Sequence, residues 1–264
     1  MKSYQTIEYK IEQQIASVYL NRPDIHNAFN ETMISELIDI FQYLSETDNE
    51  IVRVIVLRGN GKSFCAGADL NWMRNVANYT YEQNFSESYQ LSQCFYTIYT
   101  CKKPTISIVH GAAIGGANGL LAATDFAYAL PETVFSLSEV KIGIIPACIS
   151  PYVIKRVGEY NAKDLMLSGK RFNAEDAKKY HLINDVFLPD EFDQKINDLI
   201  ALLKTSGPQA MAHCKNLIHK ITNELSINEA LEYTAKIIAD IRASDEGQEG
   251  MAAFLEKRKP SWIN

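Results

Sequence analysis

Residues 63–70 read SFCAGADL, and residues 110–119 read HGAAIGGANG. Each stretch follows an apolar run with the pattern of a buried strand, Val54 to Leu57 before the first and Ile106 to Val109 before the second. Each is built of Gly and Ala and leads into a helical pattern. Small residues let a ligand approach the main chain closely. A chain passing from strand to helix leaves N–H groups without partners. Two such turns side by side can aim two N–H donors at one oxygen, forming an oxyanion hole made of backbone. The competing reading is close packing of helix on strand, which small residues serve equally well. Gly111, Gly115, Gly116 and Gly119 do not space as GxGxxG, and no GxxxxGK[ST] occurs, which disfavours a nicotinamide or nucleoside-triphosphate enzyme.

Outward from these turns the pattern alternates. Thr6 to Ile11 and Ile15 to Leu20 read as a hairpin turning at Gln13-Gln14. Asn30 is placed to cap a helix whose Ile34, Leu37, Ile38, Phe41 and Leu44 share one face. Val52 to Leu57 is apolar except for Arg53, as in a strand covered on both faces. Tyr79 to Asn84 reads as a polar connection, and Tyr89 to Ile98 as a helix ending before Lys103-Pro104. Phe126 to Leu130, Val134 to Leu137 and Ile183 to Phe187 read as later strands. Beyond Pro151 helical periodicity dominates, with Asn173 capping one segment and others over Ile196 to Leu203, Gln209 to Ile221, Ile227 to Ile241 and Glu249 to Lys257. Strand–helix alternation followed by helices alone predicts an α/β core with a helical tail. Ser206-Gly207-Pro208 divides residues 1–206 from 207–264.

The 264 residues carry a net charge of −6, which disfavours a general nucleic-acid binder. The five cysteines are an odd number without a CxxC pair, which predicts reduced thiols and a cytoplasmic protein; no zinc spacing occurs and no metal is expected. MKSYQTIEYK lacks a signal-like apolar segment, and no apolar run approaches the ~20 residues of a membrane span.

Glu139 follows Phe135-Ser136-Leu137-Ser138 and precedes an apolar loop. Such a carboxylate is either a cap or ion-pair partner, or a partly buried acid with a raised pKa. Cys65 invites a thiol nucleophile, but no histidine partner is in view and a small buried residue explains it equally. The GxSxG elbow of serine hydrolases is absent. Phe254 with Lys257, Arg258 and Lys259 forms either a solvated helix end or a basic, aromatic patch for a phosphate or base.

In order, NRPD..NAF, FCAGADL, KPTISIVHGAAIGG, FSLSEVKIGIIP and EGMAAFLEKRKP resemble the crotonase (enoyl-CoA hydratase/isomerase) family over essentially the whole chain. The resemblance implies an α/β fold, a spiral core of ββα repeats with a C-terminal helical trimerisation region. It also implies a homo-oligomer, either a trimer or a dimer of trimers, acting on acyl-CoA substrates. No separate cofactor is implied, since coenzyme A is part of the substrate. Position by position, Ala68 and Gly116 would supply the oxyanion N–H groups, and Glu139 matches the second of two hydratase glutamates. Ala66 falls where the main chain meets adenine, and Ile25 and His26 fall in the loop touching CoA. Asp69 and Leu70 would line the approach to the thioester, while Phe254 and Lys257 would reach a neighbouring subunit's CoA. The first hydratase glutamate falls at Gly119 and is missing, and the Gly-rich segment after IIP is replaced by Ala147-Cys148-Ile149-Ser150-Pro151. ADLNWMR, FSLSEVKIG and ISPYVIK are most similar to the branch that hydrates 3-methylglutaconyl-CoA or longer isoprenoid relatives. In that case the substrate's own carboxylate, or Asn118, would hold the water, and Arg74 or Arg156 would bind the carboxylate. Other outcomes of the resemblance are a dehydratase, isomerase or decarboxylase on another acyl-CoA or acyl-carrier-protein thioester, or a non-catalytic acyl-CoA-binding oligomer.

Overall fold

The computed structural model describes residues 2–263. β1 (Ile7–Glu12) and β2 (Ile15–Leu20) form the antiparallel hairpin, with Gln13 and Gln14 both left-handed. A two-residue hairpin turn needs that hand to match the strand twist. From β2 onward the large sheet is parallel. It adds β3 (Val54–Gly59), β4 (Thr105–Val109), β6 (Phe126–Ala129) and β9 (Asp185–Val186), in the order β1-β2-β3-β4-β6-β9. The Asn30 side chain accepts from Met33 N at 2.9 Å and starts α1 (Glu31–Glu46), whose Ile34, Leu37, Phe41 and Leu44 are buried against the sheet side of the core. On the other sheet face Val54, Val56, Ile106 and Ile108 pack with Phe192, Ile196 and Ile200 of α7 (Pro189–Lys204). Both faces of β3 are therefore covered, as its unbroken apolar run requires. Arg53, buried beside it, donates to Ser206 O at 2.6 Å and so ties the strand to the start of the tail.

A second sheet holds β5 (Ala112–Ile114), β7 (Val134–Ser136) and β8 (Arg171–Asn173) in the order β5-β7-β8. Sequence patterning misses β5 and β8, because three residues are too few to show a period; Ala112-Ala113-Ile114 reads as part of the Gly/Ala turn. This corrects the placement of the second turn, which follows β5 of the small sheet and not β4 directly.

The remaining helices are α2 (Leu70–Val76), α3 (Tyr81–Tyr99), α4 (Ala117–Ala123), α5 (Ser150–Ser168), α6 (Ala174–Lys179), α8 (Pro208–Asn223), α9 (Ile227–Ala243) and α10 (Asp245–Leu255). α3 starts inside the stretch read as a polar connection, because Thr80 and Gln83 close a reciprocal capping box. α10 starts before Glu249, because the Ser244 hydroxyl accepts from Gly247 N at 3.1 Å. α5 breaks at Gly158, which takes φ 73°.

Candidate active site

The two Gly/Ala turns meet at the end of the small sheet. Residues 63–65 run parallel to β5: Phe64 N donates to His110 O at 2.8 Å, Cys65 N to Ala112 O at 3.0 Å, and Ile114 N to Cys65 O at 3.1 Å. β5 is in turn parallel to β7, with Ile114 opposite Ser136. Three parallel segments thus end side by side, delivering residues 66–68, 115–116 and 137–139 to one place. Ligands of α/β sheets bind at such carboxyl ends.

The turns need glycine. Gly67 has φ 93°, and a Cβ there would stand 2.9 Å from Ile114 O. Gly115 has φ 55°, and a Cβ there would stand 3.2 Å from Glu139 Oε1. Gly67 O accepts from Phe29 N and Gly115 N donates to Ser136 O. Among the described residues, the N–H groups of Ala68 and Gly116 donate to no acceptor. Ala68 is exposed and Gly116 half-buried. Two free N–H groups on adjoining turns are the arrangement able to bind a developing oxyanion.

Glu139 opens a short 3-10 turn, Glu139–Ile142, closed by left-handed Gly143. Its Oε1 lies against Gly115, the residue before Gly116, and its Oε2 is buried without a hydrogen-bond partner among the described residues. Burial pushes the carboxyl above its ordinary range, opposed only by a bond to its own backbone N–H. Capping and ion pairing, the structural alternatives for this residue, are both absent among the described residues.

Position 119 is closed. A Cβ on Gly119 would stand 2.3 Å from Ile149 Cγ2 and 2.8 Å from Phe95 Cε1. Ile149 lies within the segment Ala147-Cys148-Ile149-Ser150-Pro151, and it occupies the space a side chain at 119 would take. Asn118 spends its Nδ2 on the fold, lying 2.9–3.2 Å from Ala113 O, Gly115 O and Ser136 O and stapling β5 to β7, while its Oδ1 is buried without a hydrogen-bond partner among the described residues. Arg156 spends its guanidinium on the fold: half-buried, it donates to Leu121 O, Leu182 O and Asp125 O, holding α4 to its neighbours. Arg74 is exposed on α2 and bonds Asn71.

Asp69 is likewise corrected. Its carboxylate does not line the approach but turns inward, pairing with Arg22 at 2.7 Å and capping α2 through Asn71 N. Burial alone would raise this carboxyl; the bonds from Arg22, Asn71 and Trp72 outweigh it and hold it below the usual range. Leu70 and Ile25 are exposed beside the turns, and Ala66 N donates to His26 O at 2.9 Å, which seats the 25–26 loop against Ala66. His26 Nδ1 lies 3.1 Å from Ser63 Oγ. Phe254 and Lys257 are exposed at the end of α10, which packs on α8 and α9. Cys65 is fully buried and its thiol is pushed up to about 12 by burial, so it is a packing residue. Sequence patterning gives no signal for Phe29, Arg22 or Ile149, whose importance lies in contacts distant along the chain.

Residues 10–264 match the family described as enoyl-CoA hydratase/isomerase. A crotonyl-CoA hydratase of Syntrophomonas wolfei is 31% identical over 99% of both chains. A peroxisomal Delta(3,5)-Delta(2,4)-dienoyl-CoA isomerase of Arabidopsis thaliana is 30% identical over 98% of both. The crystal structure of an enoyl-CoA hydratase from Shewanella pealeana superposes with a TM-score of 0.93 at 40% identity, covering 98% of this chain and 96% of that one. The chain belongs to the enoyl-CoA hydratase/isomerase family.

Proposed function

We propose that this enzyme adds water reversibly across an α,β-unsaturated acyl-CoA that carries its own distal carboxylate, of which 3-methylglutaconyl-CoA is the type. In this reading the Ala68 and Gly116 N–H groups hold the thioester oxygen more tightly as it becomes an enolate. One such donor is worth about 2.7–4 kcal/mol in the transition state. Water attacks the β-carbon, and the electron pair of the double bond moves onto the thioester oxygen. Glu139 takes the proton that water loses and delivers it to the α-carbon as the enolate collapses. A base that must accept and then donate works best with a pKa near the working pH, and burial moves Glu139 in that direction.

The observation that carries the substrate class is the filled space at Gly119. Ile149 and Phe95 leave no room for a second carboxylate, and Asn118 has its Nδ2 taken by main-chain carbonyls and offers only its neutral Oδ1. An anion brought in by the substrate would supply the charge that position 119 lacks. One carboxylate alone also suffices to move a proton between two carbons, which supports isomerisation as the second reading. A panel of 3-methylglutaconyl-CoA, crotonyl-CoA and a 3-enoyl-CoA tests both. Water addition to the first at least about 10²-fold faster than to crotonyl-CoA supports substrate help, judged against the ~10²–10⁴-fold range of acid–base catalysis. Equal rates refute it, and turnover of the 3-enoyl-CoA alone replaces hydration by isomerisation.

Residues 207–264 serve oligomerisation in this proposal. An apolar groove of about 500 Å³ between α8 and α9, lined by Leu217, Ile237, Ile238 and Ile241, supports it, as do exposed Ile227, Leu231, Phe254 and Leu255. A trimer or dimer of trimers would let Phe254 and Lys257 reach CoA held by another copy. Among the described residues no helix is long and apolar enough to cross a membrane. The five free cysteines fit a reducing, cytoplasmic setting.

A further inference from the structure

Phe29 is bonded to one turn of the site and its ring faces the other. Its N–H donates to Gly67 O at 2.7 Å, and its carbonyl accepts from Asp69 N at 2.8 Å, so its main chain brackets Ala68 on either side. Its ring faces the other turn: a Cβ on Gly116 would meet Phe29 Cε2 at 3.4 Å and Cδ2 at 3.6 Å, ordinary van der Waals contact. The ring itself cannot drift. It is 2% exposed and sits edge-on to Phe95 at 6.3 Å between centroids. Phe95 in turn packs where the Gly119 side chain would be. We infer that the Phe29 ring is the spacer that sets the separation of the Ala68 and Gly116 N–H groups, making it a positioning residue. This rests on the proposed oxyanion role of those two amides.

The main-chain bonds of Phe29 can be made by any residue there except proline. The identity of the side chain matters through its ring, which faces Gly116 on one side and packs on Phe95 on another. Donors must lie about 2.7–3.1 Å from the oxyanion to act, and a packed core passes a small change of volume on to its neighbours. Removing the outer ring atoms therefore lets the two turns change their spacing without breaking either one.

The probe is 4-(dimethylamino)cinnamoyl-CoA, whose absorption moves to longer wavelength when its carbonyl is polarised, with no turnover required. The variants are Phe29→Leu, which keeps the main-chain bonds, and Phe41→Leu, an equally buried phenylalanine on α1 as the control for a loosened core. Ala68→Pro removes one donor outright. At saturation, Phe29→Leu gives less than half the wild-type shift while Phe41→Leu gives the full shift. With the preferred substrate of the panel, Phe29→Leu lowers kcat about tenfold or more and leaves KM within about threefold, the pattern of an interaction made in the transition state. Equal shifts and equal kcat for Phe29→Leu and Phe41→Leu overturn the spacer role. If Ala68→Pro abolishes the shift while Phe29→Leu keeps it, the spacer fails and the oxyanion role stands. If Ala68→Pro keeps the full shift, the oxyanion role itself fails.

Discussion

Gly119 and Ile149 make the sharpest test of the closed space at position 119. Gly119→Ala puts a methyl group 2.3 Å from Ile149 Cγ2 and 2.8 Å from Phe95 Cε1. Overpacking of this kind costs about 1–3 kcal/mol, and alanine in the helix interior returns up to about 1 kcal/mol. The single variant therefore loses about 0–3 kcal/mol. Ile149→Ala empties a site that is 2% exposed and costs about 2–5 kcal/mol. In the double variant the new methyl enters the space that Ile149 vacates, so the loss falls short of the sum by about 1 kcal/mol or more. Relief is incomplete, because Ile149 Cβ, at 2.9 Å, and the Phe95 ring remain. Urea denaturation of the four proteins at one concentration measures the cycle. Additivity within about 0.5 kcal/mol refutes the contact. Gly119→Glu follows from the same geometry: it destabilises the chain and brings no gain in water addition to crotonyl-CoA unless Ile149 is also cut back.

Glu139→Gln lowers turnover by about 10²-fold or more and stabilises the protein. Because burial raises the Glu139 pKa, the wild type is at its best below the ordinary carboxyl range and loses stability as pH rises through the raised value. In urea denaturation across pH, the gain of the Gln variant is absent in acid, grows between the ordinary and the raised pKa, and levels off above it. Asp69→Asn behaves oppositely. The Asp69 pKa is held down, so its contribution is present above the ordinary carboxyl range and is lost as pH falls through the folded value. The stability difference from wild type is largest near neutrality and vanishes in acid. Cys65 and Cys94, both fully buried and pushed up to about 12, escape thiol reagents in the native protein and react on unfolding; rapid native labelling of Cys65 contradicts its packing role.

The order of elements is legible in the chain because its strongest signals are local. The continuous apolar run over Val54 to Leu57, the Asn30 and Asn173 caps and the Ser206-Gly207-Pro208 break all act within a few residues. The small sheet is not legible, since Ala112-Ala113-Ile114 and Arg171-Phe172-Asn173 pair with residues far along the chain and show no period of their own. The two turns and Glu139 announce themselves through small residues and through a carboxylate in apolar company. Asp69, Arg156 and Asn118 show why residue type alone misleads. Each is polar and near the site in sequence, and each is tied into the fold by side-chain hydrogen bonds. Ile149 and Phe29 show the converse, apolar residues whose consequence is visible only from what their atoms touch.

A crystal structure with an acyl-CoA bound tests the central claim most directly. The thioester oxygen is predicted to lie about 2.7–3.1 Å from both the Ala68 and the Gly116 nitrogen, with the Glu139 carboxyl within reach of the α-carbon. A thioester oxygen bound to neither nitrogen, or a Glu139 carboxyl turned away from the acyl chain, contradicts it.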